Sequence, residues 1–331
     1  MYAEKFKDKN ICITGGLGFI GSAIARRLAN IANVTVIDSL IPEYGGNLFN
    51  VNDCKEKLDI KLWDVRDIEK LEHTFRDADY IFNMAGQTSH MDSMADPYTD
   101  LEINTAAQLS ILECVRLYNP SVKVVFASTR QLYGKPDYLP VNESHPIRPV
   151  DVNGINKNAG EQYHLLYHQV YGIPTSVLRL TNTYGPGMRI KDARQTFVGV
   201  WIKNLIEGIP FEVWGGKQLR DFNYVDDVVD AFFLAALNNE ANGEIFNLGS
   251  QEVVTLSALA DKLLSVNGSG DYSVKEFPSE RKKIDIGDYY SDSSRITQVL
   301  GWEPQINLEE GLMKTINFYK KYGTKYLNPS M

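Results

Sequence analysis

The chain has 331 residues, of which 44% are hydrophobic and 23% are charged, and its formal net charge is -8. This length is enough for one large or two unequal domains, and the composition is that of a globular protein. The acidic balance argues against a general affinity for nucleic acid or for an anionic membrane surface. No uninterrupted apolar run reaches the ~18 residues that a membrane-spanning helix needs. We therefore expect neither a nucleic acid nor a membrane as a partner.

Cysteine usage and the first residues bear on the cellular compartment. Cys12, Cys54 and Cys114 share no metal-ligand spacing, and an odd number without a disulfide framework is typical of a reducing compartment. The first ten residues lack the apolar core of a signal peptide. We therefore expect a cytoplasmic protein.

Short apolar runs alternate with helical patterns over the first 180 residues. The pattern predicts strands at 10–14, 34–37, 80–85, 122–127 and 175–180, and helices at 19–29, about 98–118 and about 155–171. Such an alternation is typical of a parallel sheet that is covered by helices on both faces. We predict an α/β fold with a doubly wound parallel sheet of the Rossmann type.

The pattern changes after about residue 182, where glycine and proline cluster at 184–187. Short strands are predicted at 211–214 and 243–248, with a helix at 225–238 between them. We expect a Rossmann domain of residues 1–182 plus about 221–248, and a smaller α/β C-terminal substrate lobe of about 183–220 plus 249–331. Because ligands of doubly wound sheets bind at the carboxyl ends of the strands, the cleft between the two parts is the expected site.

A glycine-rich turn with Gly15, Gly18 and Gly21 follows the first predicted strand and opens the first predicted helix. In such a turn one glycine permits the tight bend, one lets the backbone approach a pyrophosphate, and one lets the helix pack closely on the strand. The helix that starts at Phe19 and Ile20 offers free N–H groups and the positive end of its dipole to phosphates. The turn therefore predicts a dinucleotide site.

Asp38 ends the second predicted strand, about 20 residues after this turn. A carboxylate there accepts hydrogen bonds from an adenosine ribose and repels a 2′-phosphate. The predicted cofactor is therefore NAD rather than NADP.

Further blocks of the sequence resemble the extended short-chain dehydrogenase/reductase family, and within it the nucleotide-sugar epimerases and dehydratases. The blocks run in order along nearly the whole chain, at 14–21, 64–67, 83–87, 127–134, 179–186, 220–227, 281 and 300–304. The resemblance implies an NAD-dependent enzyme that begins with hydride transfer from a sugar carbon, C4 by family analogy. Its substrate is expected to be a nucleoside-diphosphate sugar.

The resemblance also implies which residues contact the ligands. The expected cofactor contacts are Gly15, Gly18, Phe19, Ile20, Asp38, Asp64, Val65, Ala85, Gly86, Gln87, Lys157 and Thr181. Thr129 is expected to bond the reacting hydroxyl, and the other expected substrate contacts are His90, Asn182, Arg220 and Arg281. The helices at about 98–118 and 155–171 are expected to form a four-helix bundle in a homodimer.

The expected reaction centre departs from the family pattern. The family has Tyr-x-x-x-Lys on one helix face, where the tyrosine is the acid/base and the lysine lowers its pKa and bonds the nicotinamide ribose. Lys157 matches the lysine, but Asn153 stands at the tyrosine position, and no tyrosine lies between 139 and 162. An amide does not exchange a proton usefully near neutral pH.

The expected catalytic residues are therefore Thr129, Lys157 and Asn153. We consider three interpretations of this set. The protein is an enzyme with another acid/base, for which Lys157, His90, Tyr133 and Tyr184 are candidates. Alternatively, hydride transfer persists on a substrate whose proton comes from water or from the substrate itself, or the protein binds NAD or a nucleotide sugar without catalysis. Among enzymes, the alternative to an epimerase or dehydratase is a dehydrogenase or reductase that releases a keto-sugar. Arg130, next to Thr129, is either a solvated loop charge or an extra cation near the reaction centre.

No metal is expected in the protein. His164 and His168 are four residues apart, a spacing that can bind a metal on one helix face, but no third ligand motif accompanies them. We expect these histidines on a solvated or interface face of the helix.

Overall fold

The central feature of the fold is a sheet of seven parallel strands. In the computed structural model, which describes residues 2–41, 43–44, 46–279 and 284–327, these strands are β1 (Asn10–Thr14), β2 (Asn33–Ile37), β3 (Leu58–Lys61), β4 (Tyr80–Asn83), β5 (Lys123–Thr129), β6 (Thr175–Leu180) and β10 (Glu244–Asn247). Their order is β10-β6-β5-β4-β1-β2-β3, and every neighbouring pair is parallel. The predicted Rossmann fold is confirmed. The strand order reverses between β1 and β4, which is where such sheets bind ligands.

Twelve helices surround the sheets in the described ranges. They are α1 (Phe19–Leu28), α2 (Ile68–Arg76), α3 (His90–Ala95), α4 (Pro97–Leu101), α5 (Ala107–Tyr118), α6 (Val152–Tyr171), α7 (Phe197–Glu207), α8 (Val225–Leu237), α9 (Leu256–Asn267), α10 (Ser294–Leu300), α11 (Leu308–Tyr322) and α12 (Thr324–Leu327). None of them is long and apolar enough to cross a membrane.

The two faces of the central sheet bury two separate apolar clusters. Ile11 and Ile13 of β1 point into a cluster with α1 and α8, whereas Cys12 points into a cluster with α2, α5 and α6. Successive side chains of a strand face opposite sides, so a strand buried on both faces is apolar throughout. This explains why β1 has the continuous apolar run that the sequence shows.

The predicted long helix at 98–118 is interrupted. Residues 97–101 form α4, Glu102–Ala106 forms one turn of π-helix, and α5 follows. Within the π turn, Asn104 directs its amide to the backbone carbonyl of Gln87, and Gln108 bonds the carbonyl of Ile103. The polar contacts of this turn thus replace the regular helical pattern, as is frequent where helices border functional sites.

The C-terminal part of the chain carries two small sheets. One consists of β7 (Asn182–Tyr184), β9 (Leu219–Tyr224) and β11 (Val253–Thr255), and the other pairs β8 (Phe211–Trp214) with β12 (Tyr272–Lys275) in parallel. Their apolar side chains pack with α7, α9 and α11 in a third cluster. Strand β9 spans the predicted boundary near residue 221. The division into two domains stays a prediction.

Candidate active site

A cavity of about 1150 Å³ opens at the carboxyl ends of the central strands. The ends of β1, β2, β4, β5 and β6 line one side of it, and α7, β8 and residues 284–286 line the other. It contains every predicted site residue within the described ranges, namely Gly15, Gly18, Phe19, Ile20, Asp38, Asp64, Val65, Ala85, Gly86, Gln87, His90, Thr129, Asn153, Lys157, Thr181, Asn182 and Arg220. Arg281 lies outside the described residues.

The glycine turn is held against the sheet so closely that side chains are excluded. Gly15 has a φ of +64°, and a Cβ there would lie 2.9 Å from backbone atoms of Ala85. A Cβ at Gly21, on α1, would lie 2.3 Å from the carbonyl oxygen of Gly15. The first glycine thus permits the left-handed turn, and the last permits close packing of helix on turn.

The N-terminus of α1 points its free amides at the cavity. Gly18 is the N-cap and has no side chain to bond them, so the N–H groups of Phe19 and Ile20 in the first turn have no side-chain cap. Both residues line the cavity. Free amides at a helix N-terminus together with the helix dipole suit the phosphates of a dinucleotide.

Asp38 is tied to the glycine turn by its carboxylate. Its Oδ2 accepts a hydrogen bond from the Leu17 amide at 3.0 Å, and its Oδ1 accepts one from the Leu40 amide at 2.9 Å. Burial raises the pKa of Asp38 above its usual value, although these amide bonds act in the opposite direction. The carboxylate is therefore held beside the glycine turn by backbone amides, and it lines the cavity.

Two further predicted cofactor residues differ in how free their side chains are. The guanidinium of Arg66 bonds both carboxylate oxygens of Asp64 and holds the pKa of Asp64 below its usual value. The hydroxyl of Thr181 donates to the buried carboxylate of Asp221. The Asp64 carboxylate is thus ionised and held in position to accept hydrogen bonds. The Thr181 hydroxyl instead donates its hydrogen to Asp221 and cannot donate it to a cofactor at the same time.

Lys157 is buried at the centre of the cavity wall. Its Nζ donates a hydrogen bond to the carbonyl oxygen of Ala127 at 2.6 Å and lies 4.3 Å from the centre of the Phe126 ring. Burial lowers the pKa of Lys157 to about 8, against the opposing effects of Asp100 and Glu161. A substantial neutral fraction is therefore present near pH 8.

Asn153 does not face the cavity as a free amide. Its side chain is buried, and its Nδ2 donates to the Gln87 carbonyl oxygen at 2.8 Å and to Asp100 Oδ2 at 3.0 Å. Asn156 donates to the other oxygen of Asp100 at 2.8 Å. The residue at the tyrosine position is thus part of a buried network that joins α6 to α4.

Neither tyrosine candidate for the acid/base lines the cavity. The hydroxyl of Tyr133 donates to Asn247 and accepts a bond from Arg179, and burial raises its pKa to about 12. Tyr184 is also buried, its hydroxyl is directed at the carbonyl of Leu308, and burial raises its pKa. Their positions exclude both as groups that touch a substrate in this cavity.

His90 is held beside the N-terminus of α6. It is the first residue of α3, its Nδ1 lies 3.0 Å from Asp151 Oδ2, and the Asp151 side chain is fully buried. His90 Nδ1 is buried and makes no hydrogen bond among the described residues, so its contact with Asp151 is one of charge and proximity. The His90 side chain is 41% exposed and lines the cavity. Its neighbour Asp92 is paired instead with Arg194 at 2.7 Å.

Arg130 is a cation in the wall of the cavity next to Thr129. Its Nη2 donates to Asn182 Oδ1 at 3.0 Å, and the guanidinium lies 4.9 Å from the centre of the Tyr289 ring. Within the described ranges no carboxylate lies at ion-pair distance from it, and its Nη1 is buried without a hydrogen-bond partner. Arg130 is therefore a partly buried cation of the cavity wall, and the alternative of a solvated loop charge is wrong, whereas its place near the reaction centre stays a prediction.

Arg220 is buried and anchored to the small sheets. Its Nη1 donates to the carbonyl oxygens of Leu219 and Gly287, and its Nη2 lies 3.5 Å from Asp285. Burial, assisted by the charge of Arg130, lowers the pKa of Arg220 to about 10. The two guanidinium groups thus raise the positive potential of the same part of the cavity.

The expectation for His164 is wrong. The residue is completely buried, its ring stacks on Phe126 at 4.2 Å between centroids, and burial lowers its pKa to about 4. It faces the core because α6 packs on the sheet along this side. In the described part of the chain, no group of three or more His, Cys, Asp or Glu side chains is arranged to hold a metal.

Comparison with known proteins identifies the family. The model of the NAD-dependent epimerase/dehydratase family matches residues 11–249. The chain belongs to this family. The UDP-glucose 4-epimerase of Mycolicibacterium smegmatis is 30% identical over 315 residues, which are 93% of this chain and 97% of that protein.

Solved structures of epimerases have the same fold as this family member. The UDP-N-acetylglucosamine 4-epimerase of Methanobrevibacter ruminantium, in complex with UDP-N-acetylmuramic acid, has a TM-score of 0.88 and 29% identity, and the match covers 95% of this chain and 98% of that one. The UDP-glucose 4-epimerase of Thermus thermophilus, in complex with NAD, has a TM-score of 0.83 and 28% identity, with 94% and 99% covered.

The sequence did not reveal every side chain of this epimerase/dehydratase cavity. The helix predicted at about 155–171 begins at Val152, so neither the role of Asp151 as its N-cap nor the contact of Asp151 with His90 was predicted. Aromatic side chains at the far end of the cavity were also missed, namely Phe197, Trp201, Phe211, Trp214 and Phe277. They come from separate elements, and no local pattern connects them.

Proposed function

We propose that the protein is an NAD-dependent nucleotide-sugar epimerase that inverts a sugar carbon, C4 by family analogy. The observation that carries this proposal is the convergence of the glycine turn, Thr129 and Lys157 on one cavity. NAD+, when bound, supplies the acceptor for the hydride. Inversion then needs one group that takes the hydroxyl proton and returns it.

Epimerisation fits the reaction centre better than dehydration. Elimination of water needs, besides the hydride step, an acid at the leaving hydroxyl and a base at the neighbouring carbon. The residues that follow Thr129 are Arg130 and Gln131, and neither is a carboxylic acid. The matched proteins include 4-epimerases and dTDP-glucose 4,6-dehydratases alike, so the choice between the two reactions is made on the residues of the cavity.

Each part of the cavity has a proposed role. The amides at the start of α1 bind the cofactor pyrophosphate, Asp38 accepts hydrogen bonds from its adenosine ribose, and Lys157 bonds the nicotinamide ribose. Thr129 bonds the reacting hydroxyl of the sugar. Asn182, Arg220 and Arg130 bind the substrate pyrophosphate, because guanidinium groups suit phosphate oxygens. Among the aromatic side chains of the cavity wall, the partly exposed Phe197, Trp214 and Phe277 are proposed to contact the nucleobase.

The proposal is tested with purified protein, NAD+ and a panel of UDP-, CDP- and dTDP-sugars. The expected result is a change of sugar configuration without net formation of NADH at 340 nm. Net NADH with release of a keto-sugar would replace the proposal by a nucleotide-sugar dehydrogenase. Binding without any product would identify a catalytically silent NAD or nucleotide-sugar-binding protein.

A homodimer through a four-helix bundle is part of the proposal. Its support is the set of large apolar side chains that α5 and α6 expose, namely Leu117, Tyr118, Ile155, Leu166, Val170 and Tyr171. Light scattering after gel filtration is expected to give twice the chain mass of 37.3 kDa. The variant Leu166→Glu is expected to give the mass of one chain, and a monomeric wild type would contradict the dimer.

We infer that the protein works in the cytoplasm. The support is chemical, because Cys12, Cys54 and Cys114 are all free and buried. Fractionation of cells that express the full chain is the test, and recovery in a secreted or membrane fraction would contradict it.

A further inference from the structure

The proposed reaction needs a group that exchanges a proton with the sugar hydroxyl, and the candidates from the sequence differ in whether they line the cavity. Asn153 is an amide in a buried network, and Tyr133 and Tyr184 lie outside the cavity. His90 lines the cavity, and an imidazole ring can both accept and donate a proton. The second candidate, Lys157, donates to the carbonyl of Ala127 and is already needed for the cofactor ribose.

Asp151 is fixed in a way that suits an orienting carboxylate. Its Oδ1 accepts the amide of Gly154 at 2.7 Å as the N-cap of α6, and its Oδ2 accepts the side-chain amide of Gln131 at 2.8 Å. Burial raises the pKa of Asp151, but the contact with His90 and these bonds outweigh it, and the pKa lies below its usual value. Asp151 therefore remains a carboxylate and directs Oδ2 at His90 Nδ1.

These contacts link His90 to two segments of the expected reaction centre. Asp151 lies two residues before Asn153, the position at which the family has its tyrosine. Gln131 lies two residues after Thr129, which is expected to bond the reacting hydroxyl. His90 is therefore connected through Asp151 to both segments that define the centre.

We propose that His90, oriented by Asp151, is the acid/base that takes the place of the family tyrosine. This role rests on the epimerase function proposed above. The 3.0 Å contact favours a proton on His90 Nδ1 beside the Asp151 carboxylate, and this tautomer leaves the Nε2 lone pair free to accept a proton. When the carbon-bound hydrogen departs as hydride, the sugar O–H bond breaks, its proton passes to Nε2, and its electron pair completes the C=O bond. On return of the hydride to the other face, the same proton goes back from Nε2 to the oxygen.

Other charges near His90 are paired with each other or buried. Asp92 on the same helix is paired with Arg194, and Asp100 of α4 is bonded by the amides of Asn153 and Asn156. From α6, Asp151 makes the 3.0 Å contact and Lys157 is turned to Ala127. Asp151 is thus the carboxylate in direct contact with the imidazole.

The test compares His90→Gln, Asp151→Asn and the control His73→Gln, which changes an exposed histidine of α2 outside the cavity. A single turnover of the holoenzyme with UDP-glucose is followed at 340 nm, and calorimetry gives the affinities for NAD+ and UDP-glucose. The expected result is a loss of the sugar-oxidation rate by about 100-fold or more in His90→Gln. Its ligand affinities and all properties of His73→Gln are expected to stay within threefold of wild type.

Two readouts separate a proton-transfer role from a structural one. Imidazole added to His90→Ala is expected to restore part of the oxidation rate, which a purely structural role would not produce. Nitrogen NMR of the His90 ring is expected to show the proton on Nδ1 in wild type and a loss of this preference in Asp151→Asn. A ring that carries its proton on Nε2, or a His90→Gln rate within threefold of wild type, would overturn the proposal.

The experiment distinguishes a failure of the epimerase function from a failure of the role of His90. Wild-type protein that turns over no nucleotide sugar overturns the epimerase function and this role with it. An active wild type with an equally active His90→Gln overturns the role of His90 alone.

Discussion

The side-chain amide of Asn153 donates a hydrogen bond to the buried carboxylate of Asp100 at 3.0 Å. The same nitrogen also donates to the carbonyl oxygen of Gln87, and the backbone amide of Asn153 donates to Ser93 Oγ. One residue therefore joins α6 to α3, to α4 and to the loop after β4. The departure from the family tyrosine is thus accompanied by a complete set of new polar contacts.

Restoring the tyrosine is therefore expected to damage the protein. Asn153→Tyr removes an amide donor from a buried carboxylate and forces a larger ring into a packed site. The two effects together are expected to lower the free energy of unfolding by about 3 kcal/mol, without a gain in sugar-oxidation rate. Urea unfolding and single-turnover kinetics measure both quantities.

The matched control for this prediction is Asn317→Tyr, because it makes the same substitution at an exposed position of α11, outside the proposed dimer interface. It is expected to change the unfolding free energy by less than about 0.5 kcal/mol. A tyrosine variant at 153 that is as stable as the control and faster than wild type would show that the phenol fits and works there.

Features that depend on adjacent residues were predictable, and features that depend on the docking of distant segments were not. The turn at Gly15 follows from local backbone rules, and the alternation of short apolar strands with helices follows from burial. The structure has both features. The pairs His90–Asp151 and Arg130–Asn182 join segments far apart in the chain. No local pattern encodes such pairs, because each side chain alone is compatible with a solvated loop.

The interrupted helix at 98–118 illustrates the same limit. Its apolar spacing is helical on both sides of residues 102–106, so the sequence predicted a continuous helix. The π turn follows from the polar contact of Asn104 with Gln87, which forms only when the loop after β4 is in place. Tertiary contacts thus override a local preference at the border of the cavity.

The close approach of the turn to β4 predicts a specific loss on substitution of Gly15. Gly15→Ala would strain a left-handed backbone and place a Cβ 2.9 Å from the backbone of Ala85. We expect NAD+ affinity to fall at least tenfold and the melting temperature to drop by several degrees. Calorimetry and thermal unfolding provide the measurements.

Gly172→Ala is the control that isolates the close approach. Gly172 has nearly the same positive φ, +70°, but a Cβ there would meet nothing within 4 Å. It is expected to lose about 1 kcal/mol of stability from backbone strain and to bind NAD+ normally. Equal losses of NAD+ affinity in both variants would refute the role assigned to the contact with Ala85.

The charge of Lys157 is expected to make the preference between the two cofactor forms depend on pH. Because burial lowers the pKa of Lys157 to about 8, the lysine is protonated at pH 6.5 and loses its proton as the pH rises through 8. A cation beside the nicotinamide favours the neutral ring of NADH over the positive ring of NAD+. The ratio of NADH to NAD+ affinity is therefore expected to fall by about tenfold between pH 6.5 and 9.5.

Fluorescence titrations at each pH measure this ratio of affinities, and in Lys157→Met the ratio is expected not to change with pH. A slope that persists in Lys157→Met would assign the effect to another group.

Removal of the Arg130 charge is expected to weaken substrate binding and leave cofactor binding intact. Arg130 has no carboxylate partner among the described residues and shares its part of the cavity with Arg220, so an anion is the ligand that this wall favours. Arg130→Met is expected to lower the affinities for UDP and UDP-glucose alike by about tenfold or more, since a hydrogen bond to a charged group contributes about 1.5–3 kcal/mol.

The matched control is Arg148→Met, which breaks an exposed ion pair with Asp137 and is expected to change neither affinity. Calorimetry at two salt concentrations is the measurement, and the loss is expected to be larger at low salt. An unchanged affinity for UDP in Arg130→Met, with a loss confined to the sugar-containing ligand, would move this cation from the pyrophosphate to the sugar.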